Sequence, residues 1–467
     1  MMETNNENKE KLKLYTWDEV SKHNQKNDLW IIVDGKVYNI TKWVPLHPGG
    51  EDILLLSAGR DATNLFESYH PMTDKHYSLI KQYEIGYISS YEHPKYVEKS
   101  EFYSTLKQRV RKHFQTSSQD PKVSVGVFTR MVLIYLFLFV TYYLSQFSTD
   151  RFWLNCIFAV LYGVANSLFG LHTMHDACHT AITHNPMTWK ILGATFDLFA
   201  GASFYAWCHQ HVIGHHLYTN VRNADPDLGQ GEIDFRVVTP YQARSWYHKY
   251  QHIYAPILYG VYALKYRIQD HEIFTKKSNG AIRYSPISTI DTAIFILGKL
   301  VFIISRFILP LIYNHSFSHL ICFFLISELV LGWYLAISFQ VSHVVEDLQF
   351  MATPEIFDGA DHPLPTTFNQ DWAILQVKTT QDYAQDSVLS TFFSGGLNLQ
   401  VIHHCFPTIA QDYYPQIVPI LKEVCKEYNV TYHYKPTFTE AIKSHINYLY
   451  KMGNDPDYVR KPVNKND

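Results

Sequence analysis

The chain has 467 residues, and its 40 Lys and Arg against 43 Asp and Glu give a formal net charge of -3, so it lacks the global basic field of a nucleic-acid binder. With 47% hydrophobic and 18% charged residues it is apolar enough to fold, which excludes a disordered chain. Six cysteines without a CxxC pair exclude a disulfide scaffold and a thiolate zinc site, whereas the 25 histidines, many of them clustered, are unusual.

In chain order, residues 1–13 are a polar tail with no apolar stretch of the kind a secretory signal carries. Residues 14–90 read as a small mixed α+β domain. Apolar residues alternate from Leu29 to Val33, Asp34-Gly35 makes a turn, a second run follows from Val37 to Ile40, and short helices come after. His47-Pro48-Gly49-Gly50 lies between the sheet-like and helical parts, and His70 follows 23 residues later. An HPGG segment alone is equally a turn before a helix. Two neutral imidazoles facing each other across a haem would hold its iron six-coordinate, which suits electron transfer and leaves no site for oxygen. The lack of CxxCH makes any such haem non-covalent. Residues 91–122, polar and basic, read as a linker and amphipathic lead-in.

Residues 123–455 change character. Four stretches, about 125–147, 152–171, 291–313 and 319–341, are long and apolar enough to span a bilayer as helices, pairwise joined by short loops. A weaker stretch, Trp189 to Trp207 with Gly193 and Gly201, reads as re-entrant or interfacial. The short loops hold one basic residue, Arg151, whereas the lead-in and residues 208–288 are rich in Lys and Arg. The positive-inside rule then places both termini and the long loop in the cytosol. Lys299, Arg306 and Glu328, inside the second pair of spans, are expected to snorkel or to pack within the bundle. After Glu346 the chain turns amphipathic, with helices about 414–428 and 437–452, and residues 456–467 are a polar tail. The triplet Asn429-Val430-Thr431 fits a glycosylation acceptor but falls on the cytosolic side and is discounted.

Three histidine clusters stand at predicted membrane boundaries: His175-Asp176-Ala177-Cys178-His179, His211-Val212-Ile213-Gly214-His215-His216, and Gln400-Val401-Ile402-His403-His404. On an α-helix residues i and i+4 share a face, so His175 and His179 can address one metal and His211 with His215 repeats the arrangement. His216, turned about 100° from His215, favours a second metal beside the first. One such pair is commonly a polar helix face. Three beside a bilayer are costly unless they bind something, and an all-imidazole set suits iron, copper or zinc over magnesium or calcium.

These residues carry two resemblances. Tyr15-Thr16-Trp17, the strand from Leu29, Trp43, HPGG, Gly59-Arg60-Asp61, Phe66 and His70 together resemble the cytochrome b5 domain, which implies haem b with His47 and His70 as axial ligands. HDACH, QHVIGHHLYTN with the following Asp225-Pro226-Asp227, and Gly395 to Pro407 resemble the three boxes of the membrane fatty-acid desaturases. Gln400, where other desaturases carry histidine, marks the front-end acyl desaturases with a fused b5 domain. The fold implied is an α+β haem domain followed by an all-α membrane domain of four transmembrane helices and a cytosolic helical cap.

The resemblance implies two non-haem iron ions held by His175, His179, His211, His215, His216, His403 and His404, with His343 matching a further family histidine and Gln400 a weak or outer partner. His172, His184 and His209 are read as packing or outer residues. It also implies NADH as electron source through a cytochrome b5 reductase, O2 as co-substrate, and a long-chain acyl-CoA or acyl phospholipid held in an apolar tunnel between spans, in the endoplasmic reticulum membrane. No nucleic-acid partner is expected. The Thr183-His184-Asn185-Pro186 segment leans toward Δ5 insertion of a cis double bond. Δ6 insertion, a sphingolipid long-chain-base Δ8 desaturase, a fatty-acyl hydroxylase, and a membrane-tethered b5 electron carrier remain alternatives.

Overall fold

The computed structural model describes residues 13–456 apart from 94, 97–98, 230–233, 241, 243, 314–315, 353–366 and 369. The two expected polar tails lie, but for Lys13 and Pro456, outside the described residues. The N-terminal unit is built on strands β1 (Lys13–Tyr15), β2 (Asn24–Gln25), β3 (Asp28–Val33), β4 (Lys36–Asn39) and β5 (Glu84–Ile88) in the order β1-β5-β4-β3-β2. Only the β1–β5 pair is parallel. Asp34 and Gly35, both with positive φ (48° and 76°), form the two-residue turn between β3 and β4, the conformation that matches the twist of a hairpin. Leu29, Ile31, Val33, Tyr38 and Ile40 pack one face of the sheet onto Val44, Ala58, Ala62 and Ile80. Helices α1 (Trp17–Ser21), α2 (Glu51–Leu56), α3 (Thr63–Tyr69) and α4 (Lys75–Ile80) complete the unit.

The basic lead-in forms helix α5 (Glu101–Ser117), and it is a packed strut, not a free tether. Phe102, Leu106, Val110 and Phe114, four apart along one helical stripe, are buried against Ile417, Leu421 and Val424 of the C-terminal part. Lys107 of α5 and Lys99, just before the helix, form ion pairs with the buried Glu67 of α3.

Among the described residues, four helices are long and apolar enough to cross a membrane: α6 (Val125–Phe147), α7 (Phe152–Cys178), α10 (Thr289–Ile312) and α11 (Phe317–His343). Val125, Val132, Leu133 and Leu136 of α6 face outward, whereas Val127, Met131, Ile134 and Leu138 face the bundle. The second span runs seven residues further than hydropathy indicated, because a π-helical turn at Gly170–Met174 carries the helix on into the first histidine box. The weaker stretch becomes α8 (Pro186–Ala200) and α9 (Phe204–His215), bent by 119° at a three-residue break, the geometry of a broken span or a re-entrant loop. Gly201, with φ 66°, ends α8 there, and a Cβ on it would also meet the Phe302 ring at 2.4 Å.

The charges inside the spans pack and do not snorkel. Lys299 Nζ bonds Asp270 at 2.5 Å and the Gly201 carbonyl at 2.7 Å. Glu328 pairs with Arg267, and Arg306 lies 4.5 Å over the Tyr162 ring while bonding Ser327. The cap contains α12 (Trp372–Lys378), α13 (Gln400–Cys405), α14 (Tyr414–Glu427) and α15 (Phe438–Asn454).

Candidate haem and metal sites

His47 and His70 face each other from opposite walls of a mostly apolar cavity of about 780 Å³. Their ring centroids are 6.2 Å apart, a gap that one iron between two ring nitrogens fills. His47 Nδ1 donates to the Gly50 carbonyl (3.0 Å) and His70 Nδ1 to the Phe66 carbonyl (2.8 Å), which fixes the tautomer and leaves each Nε2 as a ligand atom. Burial pushes the His70 pKa down to about 4, so the ring is neutral, as a ligand must be. Ile31, Ile40, Leu54, Leu65 and Phe66 supply the apolar walls a porphyrin needs. The cavity is also lined by residues outside the N-terminal unit, among them Lys122, Thr180 and Trp189.

Outside this cavity eight further histidines converge. His175, His179, His211 and His403 form one cluster and His215, His343 and His404 another, the ligand atoms within each lying within 4.8 Å of one another, and all seven are buried. His216 stands between the two, its Nε2 3.2 Å from His211 Nε2 and its ring stacked 4.4 Å from His404. His175 Nε2 and His211 Nε2 approach to 3.1 Å. So many nitrogen lone pairs turned toward one another repel unless a cation lies among them, and His179 Nε2 and His403 Nε2 are buried without a hydrogen-bond partner. The donor set therefore fits two metal ions of the imidazole-binding kind.

The expectation that His211 and His215 share one metal does not hold, because they fall in different clusters. Residues His209–His215 are π-helical and the His216 amide donates to the His211 carbonyl (2.9 Å), five residues back. In that winding residue i+5 comes over residue i, so His216 meets His211 while His215 turns to the second cluster. Helix α13 likewise divides its pair: His403 joins the first cluster, and Gln400 and His404, four apart, face the second. Gln400 lies 3.0 Å from His343 Nε2, beside the second cluster.

The rear nitrogens have partners that spacing along the chain did not reveal. His215 Nδ1 contacts both oxygens of Asp225 (3.2 and 3.1 Å). His404 Nδ1 donates to Gln376 Oε1 (2.8 Å), His343 Nδ1 to the Thr379 carbonyl (3.2 Å), and His403 Nδ1 pairs with Tyr414 Oη (3.3 Å). His179 Nδ1 pairs with Tyr69 Oη at 3.0 Å, a contact from the haem-domain helix α3. Burial holds His403 and His404 well below the usual histidine pKa, which keeps both rings neutral. Asp225 was visible only as part of a box, and Tyr69, Gln376, Thr379 and Tyr414 had no sequence signal.

The three histidines set aside have ordinary partners: His172 bonds the Phe392 carbonyl, His209 bridges the Tyr205 carbonyl and the Ser285 amide, and His184 pairs with Asp120 at the surface. The apolar space bordering His175 is a cavity of about 30 Å³ walled by Met174, Phe196, Trp207, Leu335 and Phe339. That is room for a water-sized group, so the acyl-length tunnel expected there opens only if these side chains turn aside.

A haem-binding fold of the b5 type docked on a membrane helix bundle with two histidine clusters defines a class, the haem-fused membrane oxidoreductases. The comparisons name the family: residues 151–436 match the model for fatty acid desaturase, and residues 16–89 match that for the cytochrome b5-like heme/steroid binding domain. The chain belongs to the fatty acid desaturase family, with a cytochrome b5-like domain fused at its N-terminus. It is 66% identical to Delta(5) fatty acid desaturase A of Dictyostelium discoideum, over 97% of both chains. It is 42% identical to an acyl-lipid (8-3)-desaturase of Mortierella alpina, over 95% of this chain and 98% of the relative.

Proposed function

We infer that the protein is a front-end Δ5 fatty acyl desaturase that draws its electrons through its own haem. The observation that carries this reading is the division of eight buried imidazoles into two adjoining clusters, one of them joined through His179 to Tyr69 in the wall of the haem cavity. His47 and His70 would hold the haem, and an iron held by two imidazoles leaves no place for oxygen, which suits electron passage. His175, His179, His211 and His403 would hold one iron and His215, His343 and His404 the other, with His216 standing between the two clusters. When bound, the iron pair would supply the oxidising power, with O2, two electrons and two protons, to remove one hydrogen from each of two adjacent methylenes and leave a cis double bond and two waters.

The chain's own residues prepare that step. Asp225, Gln376 and the Thr379 carbonyl hold the protons on the rear nitrogens, so the ligand nitrogens keep their lone pairs turned inward. Met174, Phe196, Trp207 and Phe339 exclude water from the side of His175 where an acyl chain would lie. Δ5 insertion is supported by the 66% identity to a relative of that name. An NADH-linked b5 reductase as donor, the endoplasmic reticulum as location and a cytosolic active site complete the reading. They are supported by the b5-like domain and by the excess of Lys and Arg in the long loop.

The test is expression in a host without polyunsaturated fatty acids, fed C18 and C20 acids, with double bonds located by mass spectrometry. New Δ5 bonds that require O2 bear the reading out. A hydroxylated product, or reduced haem with no lipid product, refutes it.

A further inference from the structure

Among the described residues, a polar contact between the haem domain and a clustered histidine is made by Tyr69. It is the last residue of α3 and is bonded through a single peptide to His70. Its hydroxyl lies 3.0 Å from His179 Nδ1, and the two rings are 6.4 Å apart. His179 Nε2, on the opposite edge of that ring, is buried with no hydrogen-bond partner and faces His211, His175 and His403. For Nε2 to keep its lone pair, Nδ1 must carry the proton and the tyrosine oxygen must accept it.

The contact is held by packing on both sides. Leu56 and Leu65 of the haem domain are buried in the same apolar cluster as Cys178, Trp207 and Cys208, and Tyr69 packs against it. Lys190 Nζ bonds Asp52 (2.8 Å), Ser285 Oγ donates to the Leu55 carbonyl (2.6 Å), and Arg60 donates to the Arg283 carbonyl (2.9 Å). None of these other contacts touches a metal-cluster histidine.

We propose that Tyr69 is the positioning residue that couples the two redox centres, orienting His179 and closing a route from His70 to the first histidine cluster with a single hydrogen bond. The inference rests on the haem and iron assignments of the proposed function. In each transfer one electron leaves ferrous haem, which becomes ferric, and reduces one ferric ion of the histidine site to ferrous; no bond breaks, and Tyr69 keeps its proton. The covalent step through the peptide and the 3.0 Å hydrogen bond replace a jump through space between the cavity and the cluster.

The test uses the full-length holoenzyme in lipid nanodiscs, with the haem reduced under anaerobic conditions and its reoxidation by the ferric site followed by stopped-flow absorbance. Wild type is compared with Tyr69→Phe, which keeps the ring and removes the hydroxyl, and with Lys190→Gln, which loosens the same docking face away from His179. Iron per haem, the haem spectrum and the haem midpoint potential are measured on each. The expected result is reoxidation slowed at least about tenfold in Tyr69→Phe, the scale of lost outer-ligand hydrogen bonds, with iron content and potential unchanged and Lys190→Gln within about twofold of wild type. Reoxidation at the wild-type rate in Tyr69→Phe overturns the proposal. So does a slowing that only matches lost iron, or an equal slowing in Lys190→Gln. A wild-type enzyme whose haem does not reduce its ferric site fails the proposed function itself, which separates the two failures.

Discussion

Asp225→Asn changes one atom and should empty the second histidine cluster. Asp225 is buried, and each of its oxygens serves two partners: Oδ2 accepts the Asn220 amide (3.0 Å), Oδ1 accepts the Asp227 amide (3.0 Å), and both lie against His215 Nδ1. An asparagine has one acceptor oxygen, so whichever way its amide turns, its NH2 opposes a backbone N–H. The loss is one charge-assisted hydrogen bond, about 1.5–3 kcal/mol in a buried setting. Either orientation also withdraws the negative charge that holds the proton on His215 Nδ1, and a proton moved to Nε2 removes that nitrogen from the cluster with His343 and His404. Such outer partners are worth about 10–100-fold in metal affinity, or about 1.4–2.8 kcal/mol. The haem offers an internal standard, because non-haem iron can be counted per haem in the same chain. The expected outcome is iron falling from two toward one per haem during chelator challenge, with the haem spectrum unchanged. Wild-type iron retention and wild-type desaturation in Asp225→Asn would refute the role given to this carboxylate.

Replacing His404 or His343 by Ala should abolish fatty acid desaturation while the haem is still reduced normally, as read by lipid analysis and by absorbance. Surviving activity would remove that histidine from the site. Burial opposes the charge of Glu67, yet Lys99 and Lys107 outweigh it and hold its pKa below the usual carboxylate value. A lowered folded pKa stabilises above the unfolded value of about 4.3 and loses that contribution as pH falls through the folded value, so the attachment of α3 to α5 should weaken in that acid window. At neutral pH Glu67→Gln strands the buried Lys107 and should cost about 3–5 kcal/mol, seen as a lower midpoint of thermal unfolding. Burial lowers the pKa of Lys122, at the edge of the haem cavity, to about 8, against the opposing pull of Asp120. Its positive charge disfavours ferric haem, so the haem potential should fall as pH rises through about 8, by up to ~59 mV if the lysine pKa differs by one unit between the oxidation states. Redox titration of Lys122→Met should show a lower potential below pH 8 and a flat profile across it.

Much of this architecture was legible along the chain because it depends on neighbours a few residues apart. Hydropathy over some twenty residues located all four spans, α6 to the residue, since a helix must cover the bilayer whatever packs beside it. HPGG with His70 located the two histidines that face each other in the haem cavity, and the three boxes located seven of the eight clustered histidines; His343 came only from the resemblance, and His76, which also lines the cavity, from neither. The resemblance to b5-fused desaturases agreed with the family models and with the close relatives.

Spacing failed where two elements meet. The π-helical winding that separates His211 from His215 is invisible to a rule that assumes 3.6 residues per turn. The end of α7 was missed for a different reason: its apolar run stops while its helix continues through buried histidines. Which cluster each imidazole joins, which distant group holds its second nitrogen, and that Tyr69 of one domain touches His179 of the other, 110 residues on, were decided only by tertiary packing. An imidazole has two nitrogens but only one place in the chain: the sequence by itself determined that the ligands exist, and the fold determined what stands behind each of them.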